Sequence, residues 1–179
     1  MKRSWLIIIA ILIAIPIAYF LISPAFRVVE VDQPSPVIQD ALDTMDAETK
    51  AAFDAAVEEA SAEISEMQEA MPAAGTSIAE GTFQPRAHDV AGKALLLETD
   101  GVQTVRFEDF ETINGPDLRI YLASDLSNED IIDLGEIKAT KGNVNYEIPE
   151  GVDTTKYNKV LVWCRLFGVL FSYAELTPV

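Results

Sequence analysis

The sequence predicts an all-β C-terminal domain: an antiparallel β-sandwich or flattened barrel of about eight strands, preceded by a helical stalk and an N-terminal transmembrane helix. Three observations predict it. An uncharged run opens the chain, from Trp5 to Ile22. A segment without Gly or Pro then spans Asp40 to Met71, with apolar residues at helical spacing. Beyond Glu80 the apolar period becomes two, and turn signals separate short candidate strands over about a hundred residues.

Taken in order, the first element is the leader. Met1-Lys2-Arg3 is a positive start, and the 18 residues that follow from Trp5 to Ile22 carry no charge. As a helix they rise ~27 Å, close to the hydrocarbon thickness of a bilayer. Pro16 is tolerable in such a helix. The positive-inside rule keeps Lys2 and Arg3 in the cytoplasm and puts everything after Ile22 outside. A cleaved signal peptide is the rival reading. It needs a shorter apolar core and a small-x-small cleavage site, whereas this run ends Tyr19-Phe20-Leu21-Ile22. The expected anchor is residues 1–27, and the expected location is a cell membrane, single-pass, with the C-terminal domain extracytoplasmic.

Residues 28–77 read as an acidic linker and helical stalk. Glu30 to Glu80 holds 13 acidic residues against one base, Lys50. Pro34-Ser35-Pro36 is a stiff, extended start. Phe53, Val57, Ala60, Ile64, Met67 and Met71 then form a seam with alternating spacings of four and three. Pro72 and Gly75 end the helix. The seam supports either a homo-oligomeric stalk or a single helix leaning on its own domain. The acidic flanks disfavour the first, because oligomers would bring like charges together.

Residues 78–179 form the β domain. Candidate strands are Ile78–Gln84, Gly92–Thr99, Gln103–Phe110, Leu118–Ala123, Ile132–Lys138, Gly142–Ile148, Lys159–Cys164 and Val169–Ala174. Asp100-Gly101, Asn114-Gly115-Pro116-Asp117, Lys141-Gly142-Asn143 and Glu150-Gly151 mark turns between them. No helix-length periodic segment separates the strands, which excludes a parallel α/β sheet. Asp125–Ile132 is expected to form at most one helical turn.

Composition excludes several functions. The net charge is −16, which argues against nucleic acid as a partner and against docking on anionic lipid. One cysteine, Cys164, rules out an intrachain disulfide, a CxxC pair and Cys-rich metal sites. One histidine, His88, rules out a two-histidine copper site within one chain. Neither a nucleophile elbow nor a phosphate-binding glycine loop is present, so the chain is not expected to be a stand-alone enzyme.

The residues that could carry chemistry are therefore few. Cys164 ends an apolar strand and is followed by Arg165, Leu166 and Phe167. It reads either as a redox thiol or ligand, or as a small buried hydrophobe. Arg165 is poorly placed to help it, since adjacent strand residues face opposite ways. Asp125, Glu129, Asp130 and Asp133 form an acidic loop that fits no EF-hand and reads as solvated turn residues. Arg106, Glu108, Asp109 and Arg119 are candidates for cross-strand ion pairs.

An ordered set of landmarks then resembles a known family, the electron-transfer DM-thirteen domain. The set includes Gly81-Thr82-Phe83, His88 with Gly92-Lys93-Ala94, and Val105-Arg106-Phe107-Glu108-Asp109-Phe110. It continues with Asn114-Gly115-Pro116-Asp117-Leu118, Tyr121-Leu122, Asp133-Leu134-Gly135, and Lys141-Gly142 with Tyr146-Glu147-Ile148-Pro149. Val162-Trp163-Cys164 and the end from Phe167 to Leu176 complete it. The resemblance implies a component of an extracytoplasmic electron-transfer system at the cell surface. It implies that Cys164 acts as a bare thiol or binds a prosthetic group such as haem; for a haem or metal ion held there, His88, the one imidazole of the chain, is the candidate second ligand. It also implies a separate redox protein as the electron partner. The family pattern has Ser-Gly after the histidine where this chain has Ala91-Gly92. A non-enzymatic binding or structural module on a stalk is the alternative.

Overall fold

The computed structural model describes residues 42, 44–72 and 76–179. The expected anchor and the Pro34-Ser35-Pro36 exit lie outside the described residues. Among the described residues, no helix is long and apolar enough to cross a membrane.

The described chain is mostly β, two sheets with one complete helix and no closed barrel. A sandwich fits this architecture; a flattened barrel does not. The helix α1 is Ala47–Ser61. Eleven strands follow: β1 Glu66–Gln68, β2 Thr76–Thr82, β3 Gln84–Pro85, β4 Val90–Thr99, β5 Val102–Thr112, β6 Leu118–Ala123, β7 Ile131–Glu136, β8 Lys141–Glu147, β9 Lys159–Cys164, β10 Val169–Glu175 and β11 Thr177–Pro178. The eight expected strands are all present, within a few residues of their expected bounds. The three additional strands are only two or three residues long, too short for a period-two pattern to register.

One sheet has the order β1-β8-β5-β4-β2-β11 and the other β3-β10-β9-β6-β7. Two of the crossings between the sheets are single-residue corners, Phe83 between β2 and β3, and Leu176 between β10 and β11. Both corner side chains are buried. The main core lies between the sheets and includes Phe83, Phe107, Phe110, Ile120, Leu122, Val160, Val162, Cys164 and Phe171. Alternation sends Tyr121, Leu161, Trp163 and Leu170 to the opposite side of the second sheet, where they form a smaller cluster.

The helix is shorter than its composition predicts and belongs to the domain. Asp46 caps it, accepting the Thr49 N–H at 2.8 Å and the Thr49 hydroxyl at 2.7 Å. It stops at Ser61 without Gly or Pro. Thr140 N–H and Lys141 N–H then bond the Ser65 carbonyl at 2.9 and 3.0 Å, and Glu66–Gln68 pairs in parallel with β8. The open edge of β8 therefore captures backbone that would otherwise have continued the helix. Gly142 makes the pairing fit. Its φ is 117°, and a Cβ there would run into the Met67 carbonyl oxygen.

The seam is corrected accordingly. Phe53 and Val57 are 2% and 7% exposed and join the core, so the helix leans on its own domain. Ile64 is an exposed loop residue, and Met67 lies in a strand. The one helical turn that Asp125–Ile132 allows does not form; residues 124–130 are bends and β7 begins at Ile131. Arg106, expected in surface pairs, is 4% exposed. Its Nε donates to Glu108 at 3.1 Å, and one terminal nitrogen donates to the Glu69 carbonyl and the Asn145 side chain at 3.1 and 3.0 Å. It thus ties β1's trailing residue to β5 and β8.

Candidate functional site

Cys164 is the last residue of β9, and its side chain enters the core on the side of Val160 and Val162. It has no solvent exposure. Three backbone groups hold the sulfur. The thiol donates to the Pro116 carbonyl at 3.0 Å. The N–H groups of Phe167 and Leu166, in the turn after β9, hydrogen-bond to the sulfur. Burial pushes the thiol pKa up, and these two N–H bonds offset only part of that effect. Cys164 is therefore held as a neutral thiol, the form in which sulfur is a poor nucleophile and ligand.

The Pro116 carbonyl is delivered by the loop Asn114-Gly115-Pro116-Asp117. Gly115 lies so close to Phe171 that a Cβ would stand 2.7 Å from its ring. Asp117, at φ 57°, accepts the Arg165 N–H through its carbonyl at 3.0 Å and the Arg165 Nε through its carboxylate at 2.7 Å. Arg165 is thus spent on Asp117, as opposite facing in a strand predicts, and it supplies no hydrogen bond to Cys164.

His88 follows β3 and is positioned by a bulge in β10. The register of β10 against β9 shifts between Leu170 and Ser172, leaving Phe171 as the extra residue. Its carbonyl accepts the N–H groups of Arg86 and His88 at 2.9 and 3.3 Å. The imidazole stands edge-on to Phe171, ring centres 4.3 Å apart, and 5.9 Å from Phe53. Nε2 is buried without a hydrogen-bond partner. Burial lowers the His88 pKa, with Asp54 and Asp89 pulling the other way. The two singled-out side chains are not hydrogen-bonded to each other: the thiol donates to Pro116 and Nε2 has no partner.

Haem or metal ligation does not fit these residues as they stand. The sulfur is sealed, its S–H donates to the Pro116 carbonyl, and two backbone N–H groups already occupy it. No cluster of three His, Cys, Asp or Glu suited to a metal ion occurs among the described residues. Three cavities of about 410, 400 and 200 Å³, the first lined by Ser61, Ile64, Val90, Ile113 and their neighbours, include neither Cys164 nor His88 in their walls. The acidic loop is likewise occupied by its own contacts. Asp125 accepts the Ser127 N–H, Asp133 accepts the Gly135 N–H, and Asp130 binds Ser124, Tyr157 and Lys156.

Residues 82–176, more than half of the 179, match the family described as electron transfer DM13. The chain belongs to the electron transfer DM13 family. Membership points to an electron-transfer-related function. No curated protein and no solved structure matches the chain. The DM13 match begins inside β2 and ends after β10, so α1 and β1 lie outside it. The sequence reading missed two parts of the site, the Pro116 carbonyl and Phe53. The turn at Asn114–Asp117 was legible, but a backbone acceptor carries no residue-type signal that could announce it.

Proposed function

We propose that this chain is an extracytoplasmic electron-transfer accessory, tethered to a membrane through residues 5–22, in which Cys164 is the functional thiol. Family membership carries the electron-transfer reading. The uncharged run after a basic start supports the tether. The state of Cys164 supports a protected thiol: outside the cytoplasm a free cysteine meets oxidants, and a sealed, protonated sulfur resists them. A separate redox protein is the proposed partner.

The zero exposure of Cys164 also favours a second reading, a displayed binding or structural module in which the cysteine only packs. One experiment separates the two. Membranes carrying the wild-type chain or Cys164→Ser are compared for reduction of an impermeant acceptor dye, with folding checked by circular dichroism. Loss of dye reduction in a folded Cys164→Ser variant is the expected result. Unchanged reduction would leave the second reading. Carbonate extraction and protease treatment of intact cells test the tether: the chain should stay with the membrane and be cleaved from outside.

A further inference from the structure

The helix α1 lies outside the DM13 match, yet it is seated on the parts that enclose Cys164. The Phe53 ring packs edge-on against Phe167 at 5.2 Å and Phe171 at 6.2 Å. Phe167 belongs to the turn whose N–H groups bond the Cys164 sulfur. Phe171 is the bulged residue that positions His88. Phe53 thus packs on both the turn that bonds the sulfur and the bulge that positions His88.

The seat is narrow. Of the fifteen residues of α1, only Phe53 and Val57 are buried. A groove of about 410 Å³ runs beside its trailing end, between Ser61, Glu63 and Ile64 on one wall and Asp89, Ile113 and Asn114 on the other. Just beyond, the chain is pinned. Ser65 and Thr140 exchange backbone and side-chain hydrogen bonds at 2.9 and 3.1 Å, and β1 is paired with β8. A lightly held helix followed by a fixed point is the arrangement of a hinged lid.

We propose that α1 is a lid on Cys164. It pivots about residues 62–65, lifting Phe53 out of the aromatic cleft of His88, Phe167 and Phe171 and opening a route to the thiol. The inference rests on the reading of Cys164 as the functional thiol for its purpose, and on packing alone for the motion. Opening moves no electrons and breaks no covalent bond; it decides when the sulfur can meet a small reagent or a partner.

The test is the labelling rate of Cys164 in the full chain by a maleimide, compared with global unfolding followed by circular dichroism. Labelling without denaturant should run at least roughly tenfold faster than the global opening equilibrium allows. Val57→Ala should speed labelling further. Val144→Ala, the same truncation in β8 and away from α1, should lower global stability without a matching gain in labelling rate. Phe53→Ala should raise the rate on the order of a hundredfold. The lid is overturned if labelling tracks global unfolding, or if Val57→Ala and Val144→Ala speed it equally for equal losses of stability. Neither outcome depends on electron transfer, so the dye experiment can fail while the lid stands, and the reverse.

Discussion

At the scale of single residues, the chemistry turns on two side chains kept in their neutral forms. Cys164 already has a carbonyl acceptor and two N–H donors around its sulfur. A serine hydroxyl would inherit those partners, so Cys164→Ser should cost less than about 2 kcal/mol, which makes it a fair probe of function; urea denaturation measures this. His88 is different, because protonation would place a charge where Nε2 has no acceptor. Its folded pKa lies below the ordinary 6.5, with burial as the main cause and Asp54 and Asp89 opposing. The unfolded chain therefore binds the proton first as pH falls. The stability that neutral His88 contributes is complete above about pH 6.5 and is lost as pH drops through the lowered folded value. Unfolding midpoints measured from pH 7.5 downward should show this loss, and His88→Gln should flatten it. The carboxylates with lowered pKa values, Glu108, Asp46 and Asp153 among them, act in a more acid window. An unchanged slope in His88→Gln would show that the imidazole is solvated in the folded state.

At the scale of elements, the strands were legible and the helix only half so, for a physical reason. A half-buried strand imprints its period on the residues: in Lys141–Glu147 every second residue is buried and the others are exposed or half-buried. Leu118–Ala123, buried at all but one position, reads instead as a short apolar run and has the bounds expected of it. The end of α1 carries no such imprint. Ala62 to Met71 has helix-forming composition, and what overrides it is the unpaired edge of β8, a partner remote in sequence. The single local trace of that edge is Gly142, which the sequence marks as a turn residue opening a strand but not as a place where a second backbone approaches. The claim can be tested there. Gly142→Ala places a side chain at φ 117° and against the Met67 carbonyl, so it should cost about 1–3 kcal/mol and release β1. Hydrogen exchange should show faster loss of protection at Glu69 N–H, which bonds the Asn143 carbonyl at 2.8 Å, than at β4 or β5. Uniform loss across both sheets would mean that β1 is not a separable edge element. The cysteine site divides in the same way. Cys164 and His88 stand out as the one thiol and one imidazole of the chain, whereas the carbonyl and the phenyl ring that seal them become visible only when distant loops are folded together.

At the scale of the whole molecule, charge is the dominant feature and makes the last prediction. The first acidic residue is Glu30, and Lys2, Arg3 and Arg27 precede it, so residues 28–179 carry 29 acidic side chains against 10 basic ones. Ion pairs such as Lys93–Glu108 at 3.2 Å and Arg165–Asp117 at 2.7 Å use up most of the bases locally. Exposed pairs contribute little each, typically below about 1 kcal/mol, and salt weakens them. The unpaired carboxylates repel one another over distances that salt also screens, from about 30 Å at 0.01 M to about 3 Å at 1 M. The two effects oppose, and the excess of acids decides between them. Repulsion is relieved more than pairing is lost, so the melting temperature should rise from 10 mM to 1 M sodium chloride. A fall would mean that the ion pairs are arranged well enough to outweigh nineteen surplus negative charges. The same field bears on the proposed partner. Under the proposed tether, an acidic domain near anionic lipid is pushed away from it, and the proposed redox partner should present a basic face. Association should then slow steeply as salt is raised, even as the domain itself becomes more stable.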